Sequence, residues 1–203
     1  LRYDFFLSKD EVLSFGGFNK SIENPIEATR IISTATKRSF QNVPSAVVRG
    51  IEVEGRFALR RLSPYLRGIY FNANYARMSS SVDLSETQGA ETSRERPLQG
   101  QSPYLVNLGL EYDNKKWGLS SALSYNVAGA RISDVGDSGA PDVYEKPFHQ
   151  LDLTLQKKLS RKASVRFKVR NLLDSELRRT QGGLPVRSFR DGASFSLSLS
   201  SKI

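Results

Sequence analysis

The chain has 203 residues, of which 38% are hydrophobic and 25% charged, and a formal net charge of +9. This length suits one all-β domain or one to two average domains. No run of 18 apolar residues occurs, so the sequence offers no transmembrane helix. Cysteine is absent, which excludes disulfides, thiolate catalysis and cysteine-ligated metals within these residues.

Basic residues outnumber acidic ones by 30 to 21, which raises the question of an anionic partner. Lys and Arg are scattered along the sequence and form no dense basic patch. We therefore expect solvated basic side chains and no nucleic-acid partner.

A period of two dominates the sequence. In "LDLTLQKKL", for example, Leu151, Leu153 and Leu155 alternate with polar residues. Such alternation is typical of β-strands with one apolar and one polar face. It predicts nine strands, each antiparallel to its neighbours, with the third interrupted or bulged near Pro44. The predicted strands are 1–8, 12–25, 39–60, 66–82, 103–113, 117–130, 148–159, 163–174 and 189–201.

Short and long connections alternate strictly between these strands. The short ones are "SKDE", "LSPYL", "DNKK" and "SRKA", and the long polar ones span 26–38, 83–102, 131–147 and 175–188. One end of the sheet therefore carries tight turns and the other carries loops. Outer-membrane β-barrels have this asymmetry, with short periplasmic turns and longer extracellular loops. A soluble up-and-down sheet is the alternative, although several of these strands are longer than usual for one.

The two faces of the predicted sheet differ in chemistry. We expect the apolar face, with Leu153 and Phe167, to meet lipid and the polar face to line a watery lumen. A soluble core would not tolerate a row of cations on the opposite face unless that side were solvent. The residues predicted to face the lumen, in a structural role or along a solute path, are Glu52, Glu54, Arg56, Asp152, Arg166, Lys168 and Arg170.

Four stretches of the chain resemble, in order and spacing, the barrel of TonB-dependent outer-membrane receptors. They are "NVPSAVVRGIEVEGRFAL", "QGQSPYLVNLGLEYDNKKWGLSSALSYNVAGARI", "FHQLDLTLQKKLSRKASVRFKVRNLLDSE" and "FRDGASFSLSLSSKI". The resemblance covers essentially all of the sequence. The chain departs from the family at its end, where Ser201 and Ile203 stand in place of the usual aromatic residue.

The resemblance implies an active transporter that is larger than this chain. Barrels of the family have 22 strands, enclose an N-terminal plug domain and engage TonB, an inner-membrane energy coupler. We therefore expect residues 1–203 to be the C-terminal portion of the barrel, without the plug. The expected partners are outer-membrane lipid, the plug and the remaining strands, TonB and a small solute. Because nine strands cannot close in antiparallel order, we expect an open sheet with residues 1–7 and 195–201 as its edges.

Candidate catalytic residues are few. His149 is the only histidine, and "FHQLD" places no serine two residues from it, so we interpret it as structural. Glu52 and Glu54 are spaced like paired catalytic carboxylates, but we expect neighbours such as Arg56 to form salt bridges with them. We expect no enzyme activity.

The remaining charged motifs have structural interpretations as well. We expect the row Arg166, Lys168 and Arg170 to pair with the plug or with acids such as Asp152, and attraction of an anionic solute is the alternative. The acidic stretch "DVGDSGAPD" at 134–142 lacks the last carboxylate of a calcium loop. We interpret it as an extracellular loop, with calcium binding as the alternative, and expect no metal or cofactor.

Three classes of function follow from these features. The resemblance favours energy-coupled import of a scarce solute, such as a siderophore, vitamin or oligosaccharide, across the outer membrane of a diderm bacterium. The solute would contact the loops 83–102, 131–147 and 175–188. The alternatives are a passive porin-like or adhesin-like barrel and a soluble all-β binding protein.

Overall fold

The computed structural model describes residues 1–31, 37–84, 96–137 and 139–201, which form two β-sheets. The first, called the main sheet, consists of β1 (Arg2–Ser8), β2 (Glu11–Glu23), β5 (Ser45–Ala58), β6 (Ile69–Asp83), β7 (Tyr104–Asn114), β8 (Leu119–Ala128), β11 (His149–Lys158), β12 (Ala163–Arg170) and β15 (Ser194–Ser201). The second, called the loop sheet, consists of β3 (Ile26–Ile31), β4 (Lys37–Asn42), β9 (Arg131–Gly136), β10 (Val143–Glu145), β13 (Glu176–Gln181) and β14 (Leu184–Arg190).

The nine predicted strands are confirmed as the nine strands of the main sheet. They pair in sequence order and every pair is antiparallel. The third predicted strand, 39–60, is interrupted near Pro44 as expected, because β4 ends at Asn42 and β5 begins at Ser45. Proline has no N–H to donate to a ladder, so the chain can change from one sheet to the other at this point.

The main sheet is open. Strands β1 and β15 are its two edges, and within the described residues they do not pair with each other. This confirms the expected open antiparallel sheet, with edges that leave backbone N–H and C=O groups free for further strands. The chain end at Ile203 lies outside the described residues.

Within the described residues, helical structure is confined to the connection between β5 and β6. It consists of two 3₁₀ turns, Leu59–Arg61 and Pro64–Leu66, and Ser63 accepts a hydrogen bond from the backbone N–H of Tyr65 at the start of the second. Within the part of the chain that the structure describes, no helix has the length and apolarity needed to cross a membrane.

The strand register gives the main sheet one apolar face. Leu110, Leu123, Leu153, Val169 and Phe195 lie side by side on five neighbouring strands, β7, β8, β11, β12 and β15. Their neighbours along each strand point to the opposite face because side chains alternate in a strand. In this row Leu110, Leu123 and Phe195 are 42%, 37% and 68% exposed, Leu153 is half-buried and Val169 is buried. A soluble monomer rarely exposes so continuous an apolar surface.

Three of the four long connections contribute a hairpin to the loop sheet, whose order is β14-β13-β10-β9-β3-β4. The hairpins are β3–β4, β9–β10 and β13–β14, and a short parallel pairing of β3 with β9 joins the first two. The sequence analysis assigned no strands to these connections, and that part of the prediction is wrong. The alternation in them is short and rich in charged residues, so it does not stand out against polar loops.

The loop sheet has a small core of its own. The side chains of Ile132, Val135 and Val143 on β9 and β10 are almost completely buried. Val43, in the link between β4 and β5, is equally buried and packs with Ala46 of the main sheet. Burial of this kind stabilises the hairpins, since each is too short to be stable alone.

Candidate functional site

The polar face of the main sheet carries ion pairs that join different strands. Arg2 Nη2 lies 3.0 Å from Glu54 Oε2, and Arg56 Nη1 lies 3.1 Å from Glu111 Oε2. Arg56 also donates to Asn72 Oδ1 at 3.0 Å. All four charged side chains are between 39% and 53% exposed, so water screens these pairs and their contribution to stability is small. This part of the polar face, on β1, β5 and β7, is therefore a wetted surface with paired charges.

The two glutamates of the predicted carboxylate pair have separate surroundings. Glu52 and Glu54 lie on the same face of β5, but Glu54 pairs with Arg2 of the edge strand β1. Arg56, the partner expected from the sequence, pairs with Glu111 instead. The expected partner of Glu54 was wrong because Arg2 is distant in sequence. Arg2 comes close to Glu54 only through the register of β1, β2 and β5. That these side chains face a lumen stays a prediction.

Arg166, Lys168 and Arg170 form a row on the polar face of β12. Arg166 Nη2 donates to Gln156 Oε1 at 2.9 Å. Strand β15 places serines beside all three cations. Among the described residues none of the three makes an ion pair, so the pairing with Asp152 is not formed, and pairing with the plug stays a prediction. The row is an electropositive strip next to the β15 edge.

Asp152 instead holds the turn at which the chain leaves β12 for the loop sheet. Its Oδ1 accepts the backbone N–H of Asn171 at 3.0 Å. Asn171 adopts a left-handed φ of 53°, and its side chain accepts the N–H of Ser175 and donates to the carbonyl of Gly192, each at 3.1 Å. Asparagine tolerates this backbone conformation better than most residues. The "NLLD" stretch therefore fixes how β12, the β13–β14 hairpin and β15 follow one another.

A buried network ties three of the long connections together. The side chain of Glu27 on β3 is fully buried and accepts hydrogen bonds from Arg96 at 2.8 and 2.5 Å. Gln99 donates its backbone N–H to Glu27 at 3.1 Å. The Gln99 side chain bonds both backbone groups of Ala28 and donates to the carbonyl of Ser133 on β9 at 2.7 Å. A charge buried this deeply is tolerated only with such complete pairing.

The sequence analysis did not identify this network. Glu27 and Arg96 are 69 residues apart, and no local pattern connects them. The one available signal is the glutamate in "PIEATRI", which stands among residues with high strand propensity.

Glu145 on β10 holds two neighbouring strands of the loop sheet through its carboxylate. Arg131 of β9 and Arg179 of β13 place their Nη2 atoms 2.7 Å and 2.9 Å from its oxygens. Burial alone would raise the pKa of Glu145, but hydrogen bonds from the two guanidinium groups outweigh it and lower the pKa below its usual 4.5. Glu145 therefore stays ionised and cross-links the centre of the sheet.

A cleft of about 320 Å³ lies where the polar face meets the loop sheet. The main sheet contributes Asn107, Asn126 and Gln150 to its lining, and the loop sheet side contributes Arg131 and Glu145. Amide donors and acceptors thus converge with the Arg131–Glu145 ion pair and a further cation, Lys146. Such a mixture suits a polar organic solute.

The predicted ligand loops lie around this cleft to different extents. The loops 131–147 and 175–188 supply the hairpins β9–β10 and β13–β14. Of the loop 83–102, residues 85–95 lie outside the described residues, while 96–102 run along β3 and β9. Position 138 of the loop 131–147 and positions 32–36 of the connection 26–38 also lie outside them.

His149 and two aspartates of the acidic stretch, which were weighed for catalysis or metal binding, have protein partners. His149 Nδ1 lies 2.7 Å from the hydroxyl of Tyr125. In the acidic stretch 134–142, Asp134 pairs with Arg38 at 2.9 Å, and Asp142 accepts the N–H of Gly136 at 2.9 Å. No group of three or more His, Asp or Glu side chains that could hold a metal ion occurs in the described ranges.

Solved structures that resemble this chain are outer-membrane transporters and receptors. The ferric-catecholate import receptor Fiu of E. coli K12 is 16% identical with a TM-score of 0.65, and the match covers 96% of this chain and 26% of Fiu. The copper transporter OprC is 16% identical with a TM-score of 0.67, covering 98% of this chain and 29% of OprC. The ferric enterobactin receptor PfeA of Pseudomonas aeruginosa is 19% identical with a TM-score of 0.63, covering 98% and 29%.

At these identities the matches show the fold, and the chain spans less than a third of each of these proteins. No curated protein matched the sequence. A family model described as "TonB dependent receptor-like, beta-barrel" matches residues 1–172. The chain therefore belongs to the TonB-dependent receptor-like β-barrel family.

Proposed function

We propose that this chain is the C-terminal portion of the barrel of an outer-membrane receptor, and that the whole receptor imports a scarce solute with energy from TonB. The plug domain and the other barrel strands lie outside residues 1–203. The loop sheet faces the cell exterior and the short turns face the periplasm. The receptor performs no covalent chemistry.

The observation that carries this proposal is the continuous apolar face of the main sheet. It extends from Phe15 on β2 across all the central strands to Leu197 on β15, and these two side chains are 46% and 74% exposed. A hydrocarbon environment stabilises such a face, whereas water does not. The free edges β1 and β15 support the same reading, because only closure with further strands would satisfy their backbone groups in lipid.

We further propose that the solute contacts the cleft between the two sheets. Asn107, Asn126 and Gln150 supply amide groups there, and Lys146 adds a positive charge at its rim. Three of the similar structures are an import receptor for ferric catecholates, a receptor for ferric enterobactin and a copper transporter. A metal chelate that carries negative charge is accordingly the first solute to test, with vitamins and oligosaccharides next.

The test is uptake by cells that make the full-length receptor. Ferric catecholate chelates would be supplied at limiting concentration to strains with and without a working TonB. We expect the receptor in the outer-membrane fraction and uptake only in the strain with TonB. Equal uptake of small solutes in both strains would support a passive porin-like barrel instead, and recovery of the protein in the soluble fraction would support a soluble binding protein.

The cleft is tested in the same assay with a matched pair of variants. Lys146→Gln removes a cation at the cleft, and Lys20→Gln removes an exposed cation on β2. We expect uptake of an anionic chelate to need a higher concentration in the first variant only. The same uptake curve in both would remove the basis for placing the solute in the cleft.

A further inference from the structure

Basic residues concentrate at the short-turn end of the main sheet. The fold brings the four tight connections together there, and adjacent turns touch, since Asp113 N–H donates to Gly68 O and Lys158 N–H donates to Gly118 O. Residues 9–11, 59–68, 113–118 and 157–162 contain ten Lys and Arg but three Asp and Glu. These basic residues are scattered along the sequence, but the topology of the sheet brings them together at one end of the fold.

Two of the three acidic residues at this end, Asp10 and Glu11, form ion pairs on one side of it, and the third, Asp113, lies on the other side. Arg61 Nε lies 2.8 Å from Glu11 Oε2, and Arg60 Nη2 lies 3.8 Å from Asp10 Oδ2. Both pairs belong to the connections beside β2. These two carboxylates are therefore not available to pair with the cations on the other side of this end.

We call that other side the short-turn rim, and it consists of Lys115, Lys116, Lys158, Arg161 and Lys162. All five side chains are exposed. Within the described ranges none of them has a carboxylate oxygen within 4.0 Å. Four of them lie in the turns after β7 and β11, and Lys158 lies on the polar face; the cleft of about 650 Å³ between the two turns extends onto that face at Gln156 and Ser164. A group of five unpaired cations around a cleft attracts anions.

The apolar face ends beside this rim. Lys157 lies in register between Leu119 and Val165 on the apolar face, and its Nζ turns to the end of the sheet to donate to the carbonyl of Trp117 at 2.6 Å. Trp117 and Leu159 beside it are 60% and 59% exposed. A lysine that turns its amine away from an apolar face, next to an exposed tryptophan, is the arrangement found where protein crosses from hydrocarbon to headgroups.

We propose that the short-turn rim binds the headgroups of anionic phospholipids in the membrane leaflet that surrounds it. This inference rests on the proposed function, since it needs the apolar face to lie in a bilayer. The charge of the rim complements the headgroup phosphates, and the apolar face beside Trp117 receives the acyl chains. An acidic polypeptide would use the same charges but would have no use for the adjoining apolar surface.

The test is native mass spectrometry of the purified full-length receptor in detergent with equimolar phosphatidylglycerol and phosphatidylethanolamine. The rim variant is Lys116→Gln, Arg161→Gln and Lys162→Gln together. The control variant removes three cations of the loop end, Lys146→Gln, Arg178→Gln and Arg187→Gln, so that the net charge changes equally. Each Lys or Arg near an anionic lipid surface contributes enough binding free energy to change the affinity for that lipid about fivefold.

We expect the wild type and the control variant to retain phosphatidylglycerol in preference to phosphatidylethanolamine, and the rim variant to lose at least tenfold of that preference. Equal preference in the two variants would overturn the proposal. Loss of the wild-type preference on addition of inorganic phosphate at millimolar concentration would also overturn it, in favour of a free-anion site. Lipid retention is read on purified protein and uptake on cells, so this proposal and the proposed function fail separately.

Discussion

The loop sheet buries a central apolar group, although its Ile26 and Leu184 are 69% and 72% exposed, whereas the main sheet leaves large apolar side chains exposed on many of its strands. In the loop sheet, Ile132, Val135 and Val143 are almost completely buried. In the main sheet, Leu123 and Leu197 remain 37% and 74% exposed, although their strands pair regularly. The loop sheet therefore has a protein core, whereas much of the apolar face of the main sheet is not covered by protein within the described residues, and the proposed function places lipid there. Alternation of apolar and polar residues therefore predicts a strand in either sheet. Whether protein covers the apolar face of that strand distinguishes a strand on a protein core from one that faces another medium.

The largest effect should come from the core of the loop sheet. Arg96→Met leaves the Glu27 carboxylate buried without its ion-pair partner, and loss of one partner of a buried pair costs about 3–5 kcal/mol. We expect the amides of β3 and β9 to lose protection in hydrogen exchange of the full-length receptor, while the main sheet keeps its protection. Arg178→Met, at an exposed arginine of the same sheet, is the control and should change little. Similar exchange in both variants would show that the network does not hold the loop sheet.

The next effect separates the two faces of the main sheet at adjacent positions of β8. Leu123→Arg places a charge on the apolar face and should cost about 2–4 kcal/mol near the bilayer midplane. Ser124→Arg places the same charge on the polar face, next to Asp152 in register, and should cost far less. The measurement is the urea midpoint for folding of each full-length variant into lipid vesicles. Equal penalties at the two positions would mean that the faces are not divided between lipid and water.

A smaller effect is expected at the junction of the two sheets. Asn171→Ala removes two side-chain hydrogen bonds and forces alanine into a left-handed conformation, which together should cost about 1–3 kcal/mol. Asn171→Gly loses the same bonds without the backbone strain and should be milder by about 1 kcal/mol. Thermal unfolding of the full-length variants checks the order. If Asn171→Gly lowers the unfolding temperature as much as Asn171→Ala does, the left-handed backbone conformation of this turn does not account for the loss of stability.

The smallest effect is a pH dependence confined to the loop sheet. The pKa of Glu145 lies below its usual 4.5 in the folded protein, so its ion pairs stabilise the sheet above that value. This stabilisation is lost as the pH falls through the lowered pKa. A fluorophore on Leu184→Cys would report thermal unfolding of the loop sheet between pH 7 and pH 3. We expect Glu145→Gln to lower the unfolding temperature more at pH 7 than at pH 3, whereas an equal effect at both would contradict the assignment.

The sequence was sufficient for the main sheet because its strands are long and their alternation is uninterrupted. It was insufficient for the loop sheet, whose strands have three to seven residues and are as polar as "ELRRTQ". For the site residues, the sequence likewise predicted some features and not others. The faces of Arg56 and Asp152 follow from parity along a strand, but their partners Glu111 and Asn171 follow only from register and turn geometry.

Sidedness of the full-length receptor in intact cells tests the central claim most directly. The chain has no cysteine, so single cysteines can be placed at Leu184 in the loop sheet and at Lys116 in a short turn, with any cysteines elsewhere in the receptor replaced. We expect an impermeant maleimide to label Leu184→Cys on intact cells and Lys116→Cys only after the outer membrane is permeabilised. Labelling of Lys116→Cys with protection of Leu184→Cys would reverse the orientation, and labelling of both on intact cells would contradict a main sheet that spans the membrane.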